Sequence, residues 1–497
     1  MQESAVLLNG LRKLYKDDKA TFKSIEQAEA SKVALRRKEH LLAILPTGGG
    51  KSLLWQLPIF LEKDVTSVVI LPYVVLVEQV EAQCIKLGLS YQVWENDGTD
   101  DRIPQVLIVA VEHAIMLEFQ TLLVQLESTN TLARLVIDEC HTLVTHKEFR
   151  PAVRKLGGTI RSVNAQVVLL TATIPPQLED EVRVTFGCSD WKVIRRIEDR
   201  PELNYQVFDA RPIASTKKEF DHKFCSLVKQ VCERFGPADR GIVYCLQTTW
   251  AEEVAKYLNK AIRQDFCLPY HAKMSKEDRT AAIEAWKRGD VLFLIATSAL
   301  GAGLDYGSVK AIVHHVRGKN LIEFVQETGR AGRNGSSAMC LTVYWDQLDD
   351  QLEWIPEEER QAMTDWIESD LCRKKLLSIA MHGQGEECLR QKAGKFCDNC
   401  KKVLDGKPPM EVKKAAPLKR RREAETMEVR EAVQVKRMLS DLKGKCSWCW
   451  VWGDAHAIDH PLQRCRYRSM FMDADGQQYV WQMSYMSEHG AQHEAMQ

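Results

Sequence analysis

At 497 residues the chain is too long for one hydrophobic core, and at roughly 150 residues per domain it has room for about three units. Lys plus Arg and Asp plus Glu both number 68, which excludes an overall field of one sign, so any surface for nucleic acid must come from local clustering. The first twenty residues lack the basic start and apolar block of a secretory signal, and the longest apolar tract, Val65 to Val77, contains Pro72 and is shorter than the ~18 residues of a membrane span. A soluble intracellular protein is expected. Its fifteen cysteines then read as thiols and metal ligands, with Cys84, Cys188, Cys225, Cys232, Cys245, Cys267 and Cys340 as single buried thiols.

In chain order, short β-branched runs come first: LLAIL, SVVIL, VLIVAV, RLVID and QVVLLTAT, between residues 41 and 173, each separated by a helical pattern. Runs of this kind are the signature of fully buried parallel strands with helical crossovers. A second series follows EDRPELNYQV: GIVYCL, a helical TWAEEVAKYLNKAI, then VLFLIAT, KAIVHH and SAMCLTVYW. The expected fold is α/β, two tandem parallel-sheet domains dividing near residue 203.

The segment ILPTGGGKSLLWQLP follows the first strand and opens a helix. Thr47 and the glycines Gly48, Gly49 and Gly50 let the backbone curl around phosphate oxygens, Lys51 pairs with the β and γ phosphates, and Ser52 holds Mg²⁺. The strict phosphate-loop pattern fails at one point, since its first Gly falls at Leu45. Asp138 and Glu139 end the strand RLVID, where open α/β sheets bind ligands. Asp138 there completes the Mg²⁺ shell and Glu139 polarises the attacking water. Adjacent Cys140 and His141 do not converge readily on one metal, which favours a nucleotide site over a metal nest.

Beyond Trp345 the β pattern fades into a charged, helical stretch, Asp346 to Met381. Cys372, Cys388, Cys397 and Cys400 then form C-x15-C-x8-C-x2-C, four thiolates suited to a structural Zn²⁺. Residues 405–445 read as a charged linker or solvated helix, with eleven basic against six acidic residues from Glu411 to Lys445. Its run Lys413 to Arg422 fits a nuclear import signal, a phosphate contact or a plain solvated linker. In residues 446–497, Cys446, Cys449, His460 and Cys465 have the residue types for a second zinc, with His456 as a rival ligand. Trp448, Trp450 and Trp452 suit either base stacking or the core of a small lobe.

Together LPTGGGKS, DECH, LLTATIPP, LIATSALGAGLDYGSVKAIVHH and QETGRAGRNG resemble helicase motifs I, II, III, V and VI of superfamily 2, in order, and in particular those of the RecQ family of DNA helicases. The resemblance covers residues 11 to 402. It implies RecA-like domains at 1–203 and 204–347 and a helical zinc module with four cysteine ligands at 348–404, and no winged-helix or further C-terminal domain is recognisable. It implies that Gln27 reads adenine and Lys23 stacks on the ring, that His141 and Thr171 to Thr173 link hydrolysis to DNA movement, and that Gln326, Arg330 and Arg333 reach across the cleft to ATP. Thr297 and Ser298 resemble contacts to the DNA backbone, and Phe149 and Arg150 what remains of an aromatic-rich DNA-sensing loop that here lacks its Trp. The implied activity is ATP-dependent unwinding of tailed or forked duplex DNA, with 3′ to 5′ movement on the single strand, in the nucleus. Two alternatives stay open: a DNA-stimulated ATPase whose unwinding has decayed, and an RNA helicase.

Overall fold

The structure, a computed structural model, describes residues 2–95, 104–145, 150–186, 191–197, 200–301, 306–390 and 395–406. Phe149, Cys188, the basic run 413–422, His456 and the second cluster Cys446, Cys449, His460 and Cys465 lie outside the described residues. Two helices, Gln2–Tyr15 and Ile25–Arg36, precede the first sheet. Leu7, Leu11 and Leu14 of the first pack on Leu53 and Leu57.

The first lobe contains β1 (His40–Ile44), β2 (Thr66–Leu71), β3 (Tyr91–Val93), β4 (Val106–Ala110), β5 (Leu132–Ile137), β6 (Gln166–Thr171) and β7 (Trp191–Arg195). They form a parallel sheet in the order β3-β4-β2-β5-β6-β1-β7. Successive side chains alternate between faces, and both faces are covered. Leu42, Ile44, Val68 and Ile70 enter one core layer, and Leu41, Ala43, Val69 and Leu71 the opposite one.

The second lobe repeats the plan with β8 (Leu203–Asp209), β9 (Arg240–Tyr244), β10 (Cys267–Tyr270), β11 (Phe293–Ala296), β12 (Val309–His315) and β13 (Ala338–Tyr344), parallel in the order β10-β11-β9-β12-β13-β8. Every apolar run expected as a strand is one. The strands that the apolar runs do not mark, β3, β7, β8 and β10, are the four sheet edges. The stretch after Trp345 forms a 3₁₀ turn (Asp346–Leu352) and helices Glu357–Glu368 and Arg373–His382. Met363, Trp366, Leu377 and the four clustered cysteines join the second lobe's own core, so this module is packed into the lobe rather than set apart from it. Of the single thiols among the described residues, Cys84, Cys225, Cys245, Cys267 and Cys340 are buried as expected and Cys232 is half-buried. Among the described residues no helix is long and apolar enough to cross a membrane.

Candidate nucleotide site between two lobes

The chain leaves β1 through the turn Leu45–Ser52 and enters the helix Leu53–Leu61. Gly48 and Gly50 both adopt positive φ, +81° and +80°, which non-glycine residues rarely do. A Cβ on Gly50 would lie 2.1 Å from Gln27 Nε2, so glycine is also required by the close approach of that side chain. Gln27 is buried: its Nε2 donates to Gly50 O at 3.0 Å and its Oε1 accepts from Lys23 N at 2.7 Å. Lys23 Nζ donates to Gly48 O at 2.8 Å. Both residues expected at the adenine are thus fastened to the phosphate loop.

Lys51 Nζ points back over the loop, 3.5 Å from Leu45 O and 4.0 Å from Glu139 Oε1. Asp138 and Glu139 follow β5, with Glu139 at φ +49° and its N–H donating to Asp138 Oδ1 at 2.9 Å. Burial pushes the Asp138 carboxyl up to about 7; the Glu139 carboxylate adds to the rise and the Lys51 ammonium opposes it. Glu139 Oε2 is buried without a hydrogen-bond partner among the described residues. Two adjoining, half-buried carboxyls, with Glu139 Oε2 3.4 Å from His141 Nδ1, match the donor set of a hard cation. Cys140 is a core thiol whose burial raises it well above its ordinary value, so it is no thiolate ligand.

His141 is buried and joins three motifs. Its Nδ1 lies 2.9 Å from Thr171 Oγ1, and its Nε2 lies 2.6 Å from Gln326 Nε2, which also donates to Thr173 Oγ1 at 2.9 Å. Thr171 Oγ1 also lies 3.1 Å from Thr173 O, so it sits between His141 and the backbone of the following turn. Gln326 belongs to the helix Leu321–Thr328 of the second lobe, so this chain of hydrogen bonds crosses the cleft. Arg330 and Arg333 lie in the turns past that helix rather than on it. Arg330 is buried beside Tyr244, whose hydroxyl is raised by burial and lowered by the guanidinium. A Cβ on Gly329 would come within 3.8 Å of Thr47 Oγ1, which puts the arginine-bearing turn against the phosphate loop.

Farther out, Thr297 is buried and its N–H donates to Tyr270 O at 3.2 Å, while Ser298 is exposed and opens the 3₁₀ turn Ser298–Gly301. Arg150 opens the helix Arg150–Arg161. The sulfurs of Cys372, Cys388, Cys397 and Cys400 all lie within 4.8 Å of one another, and all four residues are buried. Four thiolates about 2.3 Å from one zinc stand roughly 3.8 Å apart, so the cluster fits that ion. Hydrogen bonds from the Cys388 and Cys397 thiols pull Cys372 well below its ordinary range, favouring a thiolate. Of the residues that motif reading alone does not single out, Arg200 and Tyr244 lie outside the motifs, and His314 and Glu327 lie within them. His314 Nε2 and Glu327 Oε2 lie 2.9 Å apart behind the arginine turn, both buried.

A family model described as DEAD/DEAH box helicase matches residues 24–181, and one described as helicase conserved C-terminal domain matches 222–335. The chain is 32% identical over 328 residues to a putative ATP-dependent DNA helicase Q1 of Caenorhabditis briggsae, covering 63% of this chain and 51% of that one. It is 28% identical over 365 residues to ATP-dependent DNA helicase Q5 of Mus musculus (70% and 37%), and 30% over 341 residues to hus2/rqh1 of Schizosaccharomyces pombe (64% and 24%). It thus spans about half, or less, of these relatives' lengths. Among solved structures, the helicase MrfA bound to DNA aligns with a TM-score of 0.56 at 17% identity over 69% of this chain and 52% of that one. Dbp5 of S. cerevisiae, bound to RNA and ADP BeF3, aligns at 0.55 and 15% over 73% and 91%. At these identities the two structures speak to the fold alone.

Proposed function

We propose that this chain, a RecQ-like member of helicase superfamily 2, hydrolyses ATP to move along single-stranded DNA, 3′ to 5′, and to separate tailed or forked duplexes. The observation that carries the reading is the bridge from Gln326 to His141 and Thr173, because it joins the residues next to the carboxylates of one lobe to the helix of the other that leads into the arginine-bearing turn. In this reading the phosphate loop, Thr47 to Ser52, cradles the phosphates and Lys51 pairs with them. Asp138 and Ser52 would hold Mg²⁺, which when bound neutralises phosphate charge. Glu139 orients the attacking water and takes up its proton. Arg330 and Arg333 meet the charge that develops on the γ-phosphate, so hydrolysis is fast only when the lobes close.

His141, held between Thr171 and Gln326, passes the state of the carboxylates to the second lobe. Gln27 and Lys23, now fastened to the phosphate loop, exchange those bonds for the adenine when nucleotide enters. Thr297 and Ser298 of the second lobe hold the DNA backbone without reading bases, and Phe149 and Arg150 serve as what remains of the DNA-sensing loop of the first. The Cys372, Cys388, Cys397 and Cys400 cluster would hold one structural Zn²⁺, since four protein ligands leave no open position for chemistry. A nuclear location belongs to the same proposal and is supported by the basic run 413–422.

ATPase assays with and without single-stranded DNA test the chemistry. Wild type is expected to hydrolyse ATP and to be stimulated by DNA. Lys51→Ala and Glu139→Gln are expected to lose about 100-fold or more of kcat while melting within a few degrees of wild type. ATP turnover that survives in both variants would refute the assignment.

A further inference from the structure

The stretch that joins the two lobes runs from β7 to β8, and Arg200 lies within it. Its guanidinium spreads over the arginine-bearing turn of the second lobe: Nη1 donates to Gly329 O at 3.2 Å and Nη2 to Ala331 O at 2.6 Å. These two carbonyls flank a single residue, Arg330. The fork of an arginine suits this task, since its planar donors fix two acceptors at once and so set the direction in which the residue between them can point.

Arg200 is itself held. Glu202 accepts from its Nε, and the Glu202 side chain lies so close to Gly332 that a Cβ there would come within 2.9 Å of Glu202 Cγ. Gly332 has φ +65°, so the turn takes this path because glycine permits it. From the other side, Pro201 O accepts from Lys374 Nζ and from Lys395 N, both at 3.0 Å, which ties the connector to the cysteine module. Arg200 thus sits between the module and the turn, its head shared between Glu202 and the two carbonyls of the turn.

We propose that Arg200 is a positioning residue for hydrolysis: by clamping the carbonyls on both sides of Arg330 it fixes the turn that carries that guanidinium. The proposal rests on the reading of Arg330 as the residue that meets transition-state charge. It also gives the interlobe connector a part in chemistry, because a connector that shifts would release the clamp and withdraw the arginine.

The test uses the full chain at saturating single-stranded DNA, with Arg200→Ala, Arg200→Lys, Arg330→Ala and the double variant Arg200→Ala/Arg330→Ala. Arg200→Ala is expected to lower ATPase kcat about 10- to 100-fold, the scale of a misplaced catalytic group, with KM for ATP within about twofold. Arg200→Lys, whose ammonium can serve one carbonyl well but not both in a fixed fork, falls between. The double variant is no slower than Arg330→Ala, because a clamp has no work once the clamped arginine is gone. Affinity for ADP with aluminium fluoride drops in Arg200→Lys while affinity for ADP alone holds, and this measurement decides the matter even if Arg200→Ala fails to fold. Unchanged kcat in a folded Arg200→Ala, or a loss that multiplies fully onto that of Arg330→Ala, would overturn the clamp. Wild-type kcat in Arg330→Ala overturns the reading beneath it, and that result is distinct from a failure confined to Arg200.

Discussion

His315 ends β12 inside a box of Phe220, Phe224 and Trp250, whose ring centroids lie 5.2, 5.0 and 5.9 Å away. Neither of its ring nitrogens has a hydrogen-bond partner among the described residues. Burial pushes the imidazole down to about 3, and the positive charge of Lys217 adds to the fall. The unfolded chain takes up a proton here as pH drops through about 6.5, but the folded chain does so only near 3, so stability falls with pH across that window. Between pH 7.5 and 5 this one residue is expected to remove about 2 kcal/mol. Urea melts at the two pH values should show that loss in wild type and a smaller one in His315→Phe, which fills the same space without a titrating group. Equal pH slopes in the two proteins would refute it.

At the scale of elements, the helix Asp398–Leu404, which carries Cys400 and is capped by Cys397, does more than supply two sulfurs. Asp398 within it accepts from Val207 N of the edge strand β8 at 2.9 Å and from Arg373 Nε at 2.7 Å. Asn204 Nδ2 of the same strand donates to Phe396 O at 2.6 Å. The module therefore covers an edge whose backbone groups would otherwise stand open. Stripping the proposed zinc with a chelator should release about one equivalent of metal from these four ligands, lower the melting temperature and speed hydrogen exchange at the Val207 amide. Protein without zinc, or with an unaltered Val207 amide after chelation, would contradict this account.

The same edges explain what could be read from the sequence. Interior strands such as β2 and β6 are continuous apolar runs because helices cover both faces, and they are legible at sight. The edge strands are short or mixed: β7 is WKVIR with alternating burial, and β10 is CLPY with Pro269, which an edge tolerates. At the candidate nucleotide site, Lys51, Asp138 and Glu139 can be picked out in the sequence because each motif is contiguous and follows a strand. The Arg200 clamp is not, because its partners lie some 130 residues away and only the fold brings them together. Nor does the sequence reveal that Gln27 and Lys23 spend their polar atoms on the phosphate loop.

Across the whole molecule the two lobes meet at several separate places. Gln326 bridges to His141 and Thr173 at the nucleotide side, Lys276 pairs with Glu78 at 2.7 Å, and Arg195 of β7 donates to Met381 O of the cysteine module at 3.1 Å. Arg195 also donates to Ile174 O, one residue past Thr173, so the module is tied to the same segment that receives Gln326. Rearranging these contacts once per ATP is the proposed source of movement, and their coupling to DNA is what would separate a helicase from a DNA-stimulated ATPase. Strand displacement tests that claim most directly: duplexes with a 3′ or a 5′ single-stranded tail, with ATP, with and without Lys51→Ala. The account predicts ATP-dependent displacement of the 3′-tailed duplex and none with Lys51→Ala. ATP hydrolysis stimulated by single-stranded DNA, with no displacement of either duplex, would contradict it.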